Sequence, residues 1–368
     1  VATFDTTGRL GPLAGLLDRF VAEQAVDGAA VAVAIGGEQV AEFHSGLAHA
    51  PEGRAATTDT LWPLASISKL YTAAAVMALV ERGELTLSMT VNSLLPEFDG
   101  DGRESITLRH LLTHTSGLIY ESPEMVQRLI DNTPLDQLTD EAYGYDLLFP
   151  PGTRHSYSDY NFAIAGRMAS VVTGLSFPDV IRTLVLEPGR LADTFMPPPR
   201  SEYHRLAWVI GPLAEGTDGA MYNAPYALDL AHPAFGTVAT VSDLLRFGLL
   251  FAPSGTHRIH SEATIRAMTT DATGGHAHGA MFGVESPAPI PWGLGFMIKG
   301  DSGAGPDLVS PATFAHGGAS GCTLQVDPIN DISVAYVSNR HANTGRPPFM
   351  ARLSKVVNVA VACLTRRG

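Results

Sequence analysis

The first ordered hydrophobic pattern in the chain is Leu10, Leu13, Leu17, Phe20 and Val21, the spacing of an amphipathic helix, which Asp27-Gly28 stops. The period then changes. Ala29 to Ile35 and Gln39 to His44 flank Gly36-Gly37, a two-residue hairpin signal, and predict two antiparallel strands. The first of these is apolar at every position, so its sheet is expected to be covered on both faces. Asp59 to Leu64 leads into the stretch from Leu64 to Val80, which predicts a helix ending at Arg82-Gly83. Leu70, Ala73, Ala74 and Met77 line one face of it and Val76, Leu79 and Val80 another, so it belongs in a core.

From about Leu85 to Leu228 the pattern is mostly helical, broken by Pro and Gly loops, with no internal repeat. Thr240-Val-Ser-Asp243 has the form of a capping box for a helix through Phe251. Strand-like runs return at Gly295 to Ile298, Thr313 to Ala315, Thr323 to Val326 and Ile332 to Val337. The turn Asp327-Pro-Ile-Asn-Asp331 joins the last two. A closing helix follows Pro347-Pro348, with Phe349, Leu353, Val356, Val357 and Ala360 on one face.

Strands and a helix at both ends of the chain predict an α/β (α+β) fold. An antiparallel sheet would be built from the two ends and flanked by helices, and a mostly helical region would be inserted. Residues 1–65 and 235–368 would form the α/β region and 66–234 the helical one, in a single unit spanning 1–368 with its pocket in the cleft between them.

Composition narrows the functional classes. A net charge of -13 argues against nucleic acid or an anionic membrane as partner. No apolar run approaches the ~18 residues of a membrane span. Cys322 and Cys363 do not make a disulfide framework, so a cytoplasmic location is expected. The alternative is a secreted or periplasmic chain whose leader has been removed, since Val1 is not a natural start. His110 and His114 lack the glutamate of a zinc-protease helix, and His276-Ala277-His278 sits in a Gly-rich loop, so no metal is expected. There is no Gly-x-Ser-x-Gly elbow.

Chemistry concentrates at three places. Ser66 and Lys69 are three residues apart and share one helix face. A serine is a poor nucleophile until a base takes its proton, and a lysine is such a base only when its pKa is lowered. Of the three lysines, Lys69, Lys299 and Lys355, only Lys69 has a serine three residues before it. By itself this pair reads equally as a capping serine followed by a snorkelling lysine. The segment Pro150 to Gly166 is a turn running into a helix with Tyr157 at its mouth, where a phenol beside an ammonium can relay a proton. Ala315-His-Gly-Gly-Ala-Ser-Gly321 places small residues on a strand that a ligand can approach closely.

Together, Ser66-Ile-Ser-Lys69, Tyr157-Ser-Asp159 and His316-Gly-Gly318 resemble the three ordered motifs of the serine β-lactamase-like family. That family includes class C β-lactamases, D,D-peptidases, D-aminopeptidases and carboxylesterases of the same fold. Leu111-Leu-Thr-His-Thr-Ser-Gly-Leu118, Pro151-Gly-Thr153, Trp292-Gly-Leu-Gly295 and Asp327-Pro328 match as well, so the likeness spans nearly the whole chain. It implies Ser66 as the acylated nucleophile, Lys69 as its base or electrostatic activator, and Tyr157 as general acid/base. It also implies an oxyanion hole from the N–H groups of Ser66 and Ala319, substrate contacts from Asp159, His316, Gly317 and Gly318, and no cofactor.

Two departures from the family pattern bear on the substrate. Asp159 stands where relatives have asparagine, and a carboxylate cannot donate to a substrate carbonyl as an amide can. Near Lys69 it would also favour the ammonium, which suits Tyr157 as the base. His316 stands where many relatives have lysine and is mostly neutral at pH 7. Both changes disfavour substrates that carry a carboxylate. The expectation is a serine hydrolase of small carboxylic esters. The readings left open are a D-amino acid amidase or aminopeptidase with Asp159 receiving a substrate ammonium, a β-lactamase or D,D-peptidase, a non-turnover penicillin- or peptide-binding protein, and an acyltransferase. The loops around Tyr120 to Asp146 and Tyr203 to Pro233, which would set acyl size, carry no motif.

Overall fold

Alternation of Ala and Val in the strand Gly28–Ile35 divides its two faces by size. Ala30, Ala32 and Ala34 enter one hydrophobic cluster, and Ala29, Val31 and Val33 enter another. A strand buried on both sides needs this all-apolar sequence. The computed structural model describes residues 2–211, 222–276, 278–281, 284–286, 288–301, 305–344 and 346–366. Ala277 of the His276–His278 pattern and residues 212–221 of the Tyr203–Pro233 loop lie outside the described residues.

The main sheet comprises β1 (Ala2–Asp5), β2 (Gly28–Ile35), β3 (Glu38–His49), β4 (Arg54–Ala55), β5 (Met297–Ile298), β6 (Phe314–Gly318), β7 (Cys322–Asp327) and β8 (Ile332–Ser338). Its order is β1-β3-β2-β8-β7-β6-β5, with β4 paired to β3, and every pairing is antiparallel. The two chain ends meet in its middle, where Ala32 lies opposite Ala335 and Val31 opposite Tyr336. Helices α1 (Gly11–Ala22) and α6 (Phe349–Thr365) cover the valine face. On the alanine face lie α2 (Ser68–Glu81) and α5 (Val241–Leu249), with α3 (Leu108–Leu112) and α4 (Asp159–Thr173) beyond. α5 packs close on this face, where a Cβ on its Gly248 would stand 2.7 Å from Leu324 Cδ1 of β7.

Several elements differ from the sequence expectation for local reasons. β3 runs on to His49 to pair with β4. Only Met297–Ile298 of the expected Gly295–Ile298 strand is paired, because Gly295 turns at φ +101 and packs on α2. β6 extends to Gly318 and so carries His316 and Gly317 into the ladder. Half of the expected capping box forms. Thr240 accepts from Asp243 N–H at 3.2 Å, while the Asp243 carboxylate instead accepts from Asp193 N–H at 2.7 Å. α5 ends at Leu249 rather than at Phe251.

Two small sheets brace the region between the layers. His155–Ser156 runs parallel to Gly279–Met281, which pairs with Val284–Glu285, and Val238–Ala239 lies between Trp62–Pro63 and Thr194–Phe195. Pairs of two or three residues are too short to leave a period in the sequence. Among the described residues no single helix is long and apolar enough to cross a membrane.

Candidate active site

Ser66 does not lie in the first turn of an α-helix. It sits in a 3₁₀ turn, Ala65–Ile67, that leads into α2. Ala65 before it adopts φ +46, a left-handed conformation that costs a non-glycine residue ~1–3 kcal/mol and persists only where the surroundings enforce it. They do so here: Ala65 packs with Val209 and Tyr222, and Ala319 closes on the same cluster. From the sheet side, β6 comes against this turn. A Cβ on Gly318 would stand 2.2 Å from the Leu64 carbonyl oxygen and 2.5 Å from Cys322 Sγ, so only glycine allows the approach. The Ser320 hydroxyl donates to the Pro63 carbonyl at 2.5 Å and ties the end of β6 to the segment before the nucleophile.

Lys69, one turn on, is fully buried. Its ammonium donates to Ser66 Oγ at 3.2 Å and to the Ala234 carbonyl at 3.2 Å, and it lies 2.6 Å from Asp159 Oδ1. The segment supplying Ala234 is fixed along α2 by Thr72, which donates to the Pro233 carbonyl at 2.7 Å, and by Thr237 N–H, which donates to Ser68 Oγ at 2.9 Å. The ammonium also stands 4.8 Å from the centre of the Tyr157 ring. Tyr157 is 1% exposed, and Ile290 and Trp292 pack around it.

The charges in this group follow from burial and contact. Burial pushes the Lys69 pKa down, but Asp159 and Tyr157 outweigh it and hold the ammonium above its ordinary value. Burial pushes the Tyr157 phenol up, and Asp159 adds to the rise against the pull of Lys69 and Ser66. Burial raises the Asp159 carboxyl as well, against the pull of Lys69. The 2.6 Å contact holds the two as an ammonium–carboxylate pair beside a neutral phenol. Asp159 does favour the ammonium, but it raises the phenol as well, so it gives no support to a resting phenolate.

Asp159, expected to face the substrate, is instead 5% exposed and turned onto Lys69. An incoming ammonium would have to displace Lys69 to reach it. His316 is 3% exposed, and burial first, then the Lys69 charge, lowers its pKa to about 3. Its Nδ1 lies 2.7 Å from the Gly317 carbonyl, which can only accept, so Nδ1 carries the proton and Nε2 is a bare acceptor. Gly317 and Gly318 are both in β6 beside it. The site contains further groups that sequence reasoning did not place there, His114, Trp292 and the His232–Ala234 segment. The Leu111–Leu118 and Trp292–Gly295 motifs were the available signals for the first two. Among the described residues no group of three His, Cys, Asp or Glu side chains could hold a metal ion.

Known proteins resemble this chain in sequence and in fold. A sequence model described as Beta-lactamase matches residues 13–358. Penicillin-binding protein 4 of Amycolatopsis lactamdurans is 31% identical over 335 residues, covering 88% of this chain and 83% of that protein. Esterase EstB of Burkholderia gladioli is 29% identical over 371 residues, covering 92% of each. Two solved structures are alike in fold at 24% identity. One is a penicillin-binding protein homologue from Caulobacter crescentus, with TM-score 0.80 over 99% of this chain and 100% of that one. The other is a family VIII carboxylesterase, with TM-score 0.77 over 99% of this chain and 100% of that one. With the family's sequence pattern running from α1 to α6 and its fold around Ser66, Lys69 and Tyr157, the chain belongs to the Beta-lactamase family.

Proposed function

We propose that this protein hydrolyses small, uncharged carboxylic esters through an acyl-enzyme on Ser66. The observation that carries the reading is the 2.6 Å ion pair between Lys69 and Asp159. The cation touching the nucleophile is already neutralised, and the position of the third motif holds a neutral histidine, so a substrate carboxylate meets no free positive charge from either. The naming of one well-covered relative as an esterase agrees with this.

The resting charges suit a shuttle in which Tyr157 moves protons without storing charge. Ser66 Oγ attacks the ester carbonyl as, in one concerted relay, its proton passes to the Tyr157 oxygen and the phenol's own proton passes to the ester's alkoxy oxygen, which leaves as the alcohol. One C–O bond forms and one breaks, and Tyr157 is neutral before and after. Lys69, donating to Ser66 Oγ at 3.2 Å, stabilises negative charge as it develops there. The N–H groups of Ser66 and Ala319 receive the carbonyl oxygen. Water then repeats the sequence in the opposite direction to release the acid.

The test is steady-state hydrolysis of matched butyrate ester and butyramide substrates, with a chromogenic cephalosporin alongside. The proposal expects turnover of the ester well above the other two. Preference for the amide would move the assignment to an amidase, and a single burst with a stable adduct on Ser66 would move it to a non-turnover binding protein.

A further inference from the structure

His114 lies outside the three motifs, yet it is built into the second one. It follows α3 with φ +55, a left-handed conformation uncommon outside glycine that histidine, asparagine and aspartate adopt more readily than other side chains, and it is fully buried. Its carbonyl accepts from Ser156 N–H at 2.8 Å. Its Nδ1 lies 3.1 Å from Ser158 N–H and 3.1 Å from Asn161 Nδ2. The residues on both sides of Tyr157 are therefore fastened to His114. A backbone N–H can only donate, so Nδ1 is a bare acceptor and the proton sits on Nε2. Asn161 agrees from its other end, where Oδ1 accepts from the Ser116 hydroxyl at 2.6 Å and leaves the amide NH₂ for the histidine.

With its tautomer and backbone fixed, the ring stacks on Tyr157 at 4.4 Å between centroids and 30° between planes, while the Trp292 ring meets it nearly perpendicularly at 4.9 Å. Burial first, then the neighbouring His155, the Lys69 charge and His316, hold its pKa well below that of an ordinary histidine. The ring therefore adds no charge to the site.

We propose that His114 is a positioning residue for Tyr157, holding the phenol at the distance from Ser66 that proton transfer requires. The proposal rests on the reading of Tyr157 as the proton carrier. Two donors aimed at one nitrogen, a carbonyl held by Ser156 N–H and a ring face against the phenol all serve the same placement. A residue needed only for packing would not require the acceptor at Nδ1.

His114→Asn separates the two contributions, because asparagine tolerates the left-handed backbone and keeps an acceptor near Nδ1 but has no ring. Its kcat for nitrophenyl butyrate should fall by about ten- to a hundredfold with KM nearly unchanged, since a shift of about 1 Å in a reacting group has that effect. Its thermal midpoint should fall, since the lost ring leaves a cavity, so kcat is read per folded molecule. His114→Phe keeps a ring but leaves Ser158 N–H and Asn161 without their acceptor. It should unfold at a lower temperature yet retain more kcat per folded molecule than the Asn variant. Equal kcat per folded molecule in all three proteins, or a loss appearing only in KM, overturns the inference.

If His114→Asn does not fold, Asn161→Ala carries the same test by withdrawing one donor from behind the ring, and an unchanged kcat there is equally decisive. A wild type that is labelled at Ser66 by a fluorophosphonate but does not turn over esters refutes the esterase reading alone, and the comparison is then made on labelling rates. A wild type that does neither overturns both.

Discussion

Lys69 Nζ lies 2.6 Å from Asp159 Oδ1, inside the 3.2 Å that separates it from Ser66 Oγ. The carboxylate that replaces the family's asparagine thus acts on the lysine rather than on the substrate. Its negative charge raises both Lys69 and Tyr157. Asp159→Asn should lower both, so the alkaline limb of the pH–rate profile moves to lower pH, as kcat/KM measured across pH 7 to 11 would show. The variant should lose about 1–3 kcal/mol of stability in denaturant titrations. That is less than the about 3–5 kcal/mol of an outright broken buried pair, because the amide oxygen still accepts from the ammonium. It should also acquire measurable acylation of Ser66 by a β-lactam, read as an adduct mass, since the Lys69 charge is no longer neutralised and an amide donor is restored.

Buried histidines set the acid behaviour. Burial lowers His155 to about 4 and His232 and His316 to about 3, against 6.5 for a free histidine, and it holds His114 well below that value. Below pH 6.5 the unfolded chain binds protons that the folded one refuses. Their contribution to stability is therefore complete above pH 6.5 and is lost as pH falls from there toward 3. Denaturant midpoints should be level from pH 7 to 8 and drop steeply between pH 6 and 4. Ester kcat/KM, in contrast, should show no inflection near 6.5, because none of these rings changes charge there in the folded protein.

Gly318 fixes how near β6 comes to the nucleophile. In Gly318→Ala the new methyl would stand 2.2 Å from the Leu64 oxygen, so the strand or the turn must move. The substitution should cost about 1–3 kcal/mol, as overpacking does. It should lower ester kcat/KM by about a hundredfold by displacing the oxyanion donors. Gly317→Ala is the control. Its methyl meets the Phe349 ring at an ordinary 3.6 Å, and thermal unfolding should register little change.

The sheet and the buried helix were legible because each follows from a strong local signal: a strand apolar throughout and a helix apolar all round leave few alternatives. The Ser66–Lys69 pair alone read equally as a cap and a snorkelling lysine, and the three motifs stood out only through their order and their resemblance to the family. What escaped the sequence depended on tertiary contact. The left-handed Ala65 and the 3₁₀ turn at Ser66 are imposed by packing against Val209 and Tyr222, not by any preference of alanine. The family resemblance set Asp159 near Lys69, but whether it faced the substrate or the lysine depended on the 2.6 Å contact. Nothing in the sequence set His114 beside Tyr157. Its hydrogen bonds do fix a loop, but that its ring lies against Tyr157 follows from residues 43 positions away in the chain coming together.

The central claim is that Ser66 carries the acyl group. Steady-state hydrolysis of nitrophenyl butyrate by wild type and Ser66→Ala tests it most directly, with folding of the variant checked by circular dichroism. The account predicts many turnovers by the wild type and none above background in the folded variant. Undiminished turnover by Ser66→Ala would contradict it and leave the family fold without the chemistry assigned to it here.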